Sequence, residues 1–293
     1  MTLVRWCLCH IRGRFLAMAW LFAWVGVGSA FGHGAYHDVV TAIQAELHVH
    51  PGDTALRYKL AEAHVGHDDW RACLKQIKLV ERLAPGVYPT GYLRGLALHL
   101  AGKDEAAKEA LNDFLTKNPD HVDALATRGR VLVKLGFPLD AVMDFQKAVK
   151  LADSPNTEWI VDLALVLSDS GKPTEASRAI DEGIMTAGDV PSLLECALEI
   201  ETAAGLWDSA LGRMEGLQKL APCPEPWMAK RAELMTRAGR ADDARAAWTV
   251  LRDRLISLPS LERGTPQNVQ LLQQARQSLG ETAPMPVAAP PAP

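Results

Sequence analysis

Five glycines, Gly102, Gly136, Gly171, Gly205 and Gly239, recur at intervals of 34, 35, 34 and 34 residues. A period of this length admits few folds. Each unit must be one supersecondary element that hides its apolar face only by stacking on its neighbours. Other columns keep the same phase. Ala107, Ala141, Ala176, Ala210 and Ala244 stand five residues after the glycines, and Cys73 continues that column upstream. Pro51, Pro85 and Pro119 close units at 34-residue intervals, with Pro222 in phase further on. Ala61, Gly95, Gly129, Ala164 and Ala232 place small residues early in each unit, and Leu198 interrupts them. Ile77, Leu111, Phe145, Ile180, Met214 and Trp248 form a large apolar column.

Each column has a physical reason. The glycine ends a first helix and permits a tight turn. The two small columns let paired helices approach closely, and the large column fills the space between them. Proline stops the second helix because it cannot continue the hydrogen-bond ladder. Aromatics make up 6% of the chain while Ala and the aliphatics dominate, which favours helix over strand. The expected fold class is all-α.

In these columns the chain resembles the tetratricopeptide-repeat family over about residues 37–258. The resemblance implies a right-handed superhelical solenoid of antiparallel helix pairs. It also implies that the first helices line a concave surface taking a protein or peptide partner. On this phase that surface carries Tyr58, Glu62, Tyr92, Leu96, His99, Arg130 and Leu165, with Ala126, Val133, Val161, Glu195, Glu199 and Glu233. Tyr and Arg suit such a role because they combine contact area with hydrogen bonding. The family's carboxylate clamp of Lys, Asn and Arg is missing, since Glu62 and Leu96 stand where an amide or a base is needed. Recognition of a chaperone's C-terminal tail is therefore not expected.

The organisation expected is a leader over 1–32, a histidine-containing half repeat over 33–53, six repeats over 54–258, a capping helix within 259–280 and a Pro/Ala-rich tail over 281–293. Units are expected to begin near Thr54, Tyr88, Val122, Thr157, Pro191 and Glu225. Arg5, Arg12 and Arg14 precede an apolar stretch, Phe15 to Val27, and small residues follow at Gly28, Ser29, Ala30 and Gly32. This is the pattern of a cleaved export signal. It points to a periplasmic or secreted protein of bacterial style, with no membrane segment after cleavage. Loss of the leader's three arginines takes the net charge from −4 to −7, and no long basic run remains, so nucleic acid is a poor candidate partner. Cys73, Cys196 and Cys223 show no regular spacing and read as small buried residues more than as a disulfide framework.

Histidines crowd the mature N-terminus: His33, His37, His48, His50, His64, His67 and His99, with His121 the last. A turn at Pro51–Asp53 makes its two helices antiparallel. The rise per residue then brings His33 and His37 level with His64 and His67 at one end of the hairpin. Imidazoles so spaced suit Cu, Zn or Ni, which makes a metal-handling accessory protein the alternative to a binding scaffold. The competing reading of His64 is a satisfied core histidine. Asp69, before Trp70, reads as a helix cap. No nucleophile elbow, phosphate loop, dinucleotide fingerprint or metalloprotease helix is present, so the chain is not expected to be an enzyme.

Overall fold

The computed structural model describes residues 28–154 and 156–281, with side chains from Tyr36 onward in the first helix. The leader's charged and apolar segments and the Pro/Ala-rich tail beyond Glu281 lie outside the described residues. Among the described residues there are fifteen α-helices and no strand. The chain divides into two compact units between Tyr88 and Pro89.

The first unit holds α1 (Gly28–Val49), α2 (Thr54–Gly66) and α3 (Trp70–Leu83). Helix α1 packs on α2, and α2 pairs with α3. Its start at Gly28 puts the small residues of the expected export signal, Gly28, Ser29, Ala30 and Gly32, inside its opening turns. Asp53 caps α2 by accepting from the amides of Ala55 and Leu56. Asp69 caps α3 through Ala72 N at 3.1 Å, as its place before Trp70 suggests.

The second unit holds five helix pairs: α4 (Thr90–Leu100) with α5 (Asp104–Lys117), α6 (Val122–Lys134) with α7 (Pro138–Leu151), α8 (Thr157–Asp169) with α9 (Pro173–Ala187), α10 (Pro191–Ala203) with α11 (Trp207–Leu220), and α12 (Glu225–Arg237) with α13 (Ala241–Ser257). A short α14 (Ser260–Arg263) leads into α15 (Pro266–Leu279), which packs on α13 and α12 and buries Ala275 beside Trp248 and Leu251. Thr265 caps α15, with Pro266 in the first turn, where its missing N–H costs nothing. Both units are thus all-α, and the second is a solenoid of antiparallel helix pairs.

First helices start at the expected residues except for one. The second begins at Thr90, two residues after Tyr88. Tyr88 precedes Pro89, and a residue before proline is pushed out of the helical region.

The turn inside each pair has one geometry. After α4 the amide of Lys103 bonds Leu98 O, and the corresponding bonds after α6, α8, α10 and α12 are Phe137 to Leu132, Lys172 to Leu167, Leu206 to Glu201 and Arg240 to Met235. This closure requires a left-handed residue just before the donor, and the five periodic glycines supply it with φ between 72° and 81°. In the first unit Asp69 N bonds His64 O in the same way, and the left-handed residue is Asp68 with φ 61°.

The small columns are contact points. A Cβ built on Gly95 would lie 2.5 Å from Leu111 Cγ, and one on Gly129 would lie 2.9 Å from the Phe145 ring. Ala61, Ala164 and Ala232 are fully buried at the equivalent places. The large column from Ile77 to Trp248 is buried throughout. One apolar cluster runs unbroken from Ala107 to Ile200.

Candidate partner-binding face and histidine cluster

In the second unit successive first helices touch one another, α4 with α6, α6 with α8 and α8 with α10, while each second helix packs between two first helices. First helices therefore lie on the inside of this array. Of the expected binding residues, Tyr92, Leu96, His99, Arg130 and Leu165 fall on α4, α6 and α8, all half-buried. Val133 and Val161 lie with them, and Ala126 is buried. Glu195, Glu199 and Glu233 are exposed on α10 and α12.

The polar members of this face on α4 and α6 are already engaged. Arg130 donates from Nε to Asp162 at 2.6 Å and from Nη2 to Glu158 at 3.2 Å, tying α6 to α8. Burial pushes the Asp162 carboxyl up against the opposing pull of Arg130. His99 lies 2.6 Å from Asp104 through Nδ1, at the turn into α5. Its pKa is nonetheless lowered, because burial outweighs Asp104 and the nearby Lys134 and Arg130 add to the effect. The Tyr92 ring packs 5.0 Å from His121 and 6.3 Å from Phe114. Burial and Asp123 raise its phenol above the ordinary range. His121 caps α6, its Nδ1 accepting from Ala124 N at 3.2 Å.

Asp104, Glu158 and Asp162 are the functional neighbours that periodicity does not expose. Each departs from the repeat columns and is defined by one partner on another helix. The charge pattern of α8 carries a signal for the last two, since an acid pair one turn apart on a helix without bases calls for a cation from a neighbour.

In the first unit Tyr58 is half-buried and stacks on Tyr88 with ring centroids 5.2 Å apart, while Glu62 is exposed. Three of the four histidines put forward as metal ligands converge on one residue, Tyr36. Its ring lies 3.8 Å from that of His67, 5.5 Å from His37 and 6.3 Å from His64, and its hydroxyl is 3.0 Å from His64 Nδ1. His64 is 7% exposed and sits in the core of α2, with Asp69 Oδ2 at 3.9 Å. Burial lowers its pKa, and Asp69 opposes that shift. His33 belongs to α1, but its side chain is outside those described. Among the described residues no three His, Cys, Asp or Glu side chains form a group able to hold a metal. Nor is any described helix long and apolar enough to cross a membrane. Tyr36 itself has no counterpart in the 34-residue columns, which is why periodicity passes it over.

No family model matches the chain, and no curated protein matches it. Solved structures do resemble it. The C-terminal part of a TPR repeat-containing protein from Cytophaga hutchinsonii superposes with a TM-score of 0.59 at 12% identity, over 83% of this chain and 97% of that one. A tetratricopeptide repeat protein from Parabacteroides merdae superposes with a TM-score of 0.51 at 17% identity, over 84% and 94%. A chain from the Naa15/Naa10 complex bound to HypK-THB gives 0.52 at 13% identity, over 78% of this chain and 34% of that one. The fold is the tetratricopeptide-repeat fold. At these identities the likeness is one of fold alone, and function rests on the site.

Proposed function

We propose that this chain is a non-enzymatic scaffold that binds a protein or peptide along the inner face of its first helices. The observation that carries the reading is the row of half-buried residues on consecutive first helices, Tyr92, Val133, Val161 and Leu165, which touch the core but are not closed over by it, with half-buried Leu96 on the same helix as Tyr92. A partner laid on this row would gain apolar contact at each pair in turn, the way such arrays accumulate affinity from small increments. The arginine-rich leader pattern supports placing the scaffold in the bacterial cell envelope, periplasmic or secreted. N-terminal mass analysis of exported protein tests that placement.

The test of the scaffold role is photo-crosslinked capture from the native envelope fraction, with the probe at Val133. Leu96→Ala with Leu165→Ala should cut capture about tenfold. Leu139→Ala with Met143→Ala, on exposed positions of α7, should leave it unchanged. Capture insensitive to the inner pair refutes the reading.

A metal-handling role is the second reading, with Cu, Zn or Ni taken by His33, His37, His64 and His67. The gathering of three of these histidines around Tyr36 supports it. In that reading His64 offers Nε2 to the metal while Nδ1 keeps its contact with the Tyr36 hydroxyl. Calorimetric titration of the exported protein decides the matter: binding tighter than about micromolar that is lost with His37→Ala supports it, and binding indifferent to that change removes it.

A further inference from the structure

The charge of this chain is not evenly spread. Residues 157–203 hold ten acids and two bases, a net −8, whereas the rest of the chain sums to +4. The stretch covers three consecutive helices, α8, α9 and α10. Helices α8 and α10, both lining the inner face, carry six acids and no base.

The same three helices break a second rule. A cation in the last turn complements the negative end of a helix. Nine of the other twelve described helices have a Lys or Arg there, from Arg82 in α3 to Arg276 in α15, and α1, α2 and α4 have a histidine. Helices α8, α9 and α10 have none, and Asp169 and Glu201 stand at the negative ends of α8 and α10 instead. Glu201 is satisfied by Arg213. Glu195 and Glu199 are one turn apart on α10, like-charged, and without a described partner. Partial shielding of its carboxyl from water, although the residue is exposed overall, and the neighbouring Glu195 push the Glu199 carboxyl up from its ordinary value. Arg130 does not offset the face, because Asp162 and Glu158 already outnumber it.

Beside these acids, at the same register one pair upstream, stand Val161 and Leu165. Apolar positions on α8 thus pass directly into carboxylates on α10. We propose that the inner face of α8 and α10 docks a basic amphipathic peptide segment, its apolar side chains on Val161 and Leu165 and its Lys or Arg side chains on Glu195 and Glu199. The proposal rests on the scaffold reading and names the chemistry of its partner. The bound segment supplies the cations that these helices lack.

The experiment measures anisotropy of three labelled 16-residue peptides against the exported full chain at 20 and 200 mM NaCl. The peptides share one Leu pattern and carry Lys, Gln or Glu at the polar positions. The Lys peptide should bind at least tenfold more tightly than the Gln or Glu peptide, and should weaken at the higher salt. Glu195→Gln with Glu199→Gln should remove most of that preference. Glu105→Gln with Glu109→Gln, exposed on α5, should retain it, with folding of both variants checked by circular dichroism. Equal binding of the Lys and Gln peptides overturns the charge assignment while leaving an apolar binding face intact. A Lys preference that survives the Glu195/Glu199 change overturns the location. If no peptide binds, the proposal fails, and the scaffold reading is then judged separately by the Val133 crosslinking capture.

Discussion

Arg213→Ala should destabilise the central helices far more than an ordinary surface substitution. Glu201 is fully buried on α10. Its carboxylate accepts from Ser177 Oγ at 2.6 Å on α9, and from Arg213 Nε and Nη2 at 3.1 and 2.9 Å on α11. Arg213 Nη2 also reaches Asp181 on α9 at 2.5 Å. One guanidinium therefore ties three successive helices. Removing it leaves a buried charge with a single hydroxyl donor. Breaking a buried pair in this way costs about 3–5 kcal/mol. The Arg213 side chain is 14% exposed, so water can enter the space it leaves, and Ser177 remains. The lower end, about 3 kcal/mol, is expected, more than a hundredfold in the folding equilibrium. Urea unfolding followed by circular dichroism reads the loss, and hydrogen exchange places it in α9–α11. The double change Glu201→Leu with Arg213→Met should recover most of the loss, because replacing both charges removes the desolvation penalty as well as the attraction. A loss under about 1 kcal/mol for Arg213→Ala alone would refute the claim that Glu201 depends on Arg213.

Gly129→Ala should cost about 1–3 kcal/mol by urea unfolding, since its Cβ would press to 2.9 Å on the Phe145 ring, and an unchanged midpoint would show that the ring moves freely. Asp68→Gly should stabilise the first unit by about 0.5–1 kcal/mol, because it removes left-handed strain from a position that glycine fills in the other pairs; lost stability would assign Asp68 a side-chain role. Burial holds the His64 pKa below its ordinary value, so the folded state binds fewer protons there than the unfolded chain does. The packing of α1 on α2 should therefore be strongest above about pH 6.5 and weaken as pH falls below it. Hydrogen exchange of α1 at pH 7.5 and 5.5, corrected for intrinsic rates, should show this loosening in the native chain and not in His64→Leu. Equal behaviour of the two proteins would remove His64 as the cause.

Periodicity made the helix pairs legible, because each column answers to a backbone need that recurs. Positive φ is required at every intra-pair turn, and glycines mark it in the second unit, whereas Asp68 takes that place in the first. Close approach is required at every crossing, and Gly95, Gly129 and the buried alanines mark that. The missed start at Thr90 shows where local chemistry overrides period, with Pro89 displacing the helix that phase alone puts at Tyr88. Expected inner-face residues on α4, α6 and α8 do fall on consecutive touching helices. What phase could not reveal is which of them are already engaged. Arg130 reads in sequence as an anchor for a partner, yet its donors are taken by Asp162 and Glu158, a choice made by side-chain reach between helices and not by spacing along the chain. Tyr36 was hidden for the same reason. Its meeting with His64 and His67 depends on how α1 rotates as it packs, which a 34-residue column does not encode.

Each pair in the second unit leans only on its immediate neighbours, and the turn inside every pair closes through the same hydrogen bond. Tension on the two ends of such an array meets no single clasp. The helices would peel away in steps, one pair per event, and rejoin a template that is still folded. Length is negotiable on the same terms: a pair removed whole leaves two helix faces built to the same pattern, whereas a cut inside a pair leaves a helix with no surface to lie against.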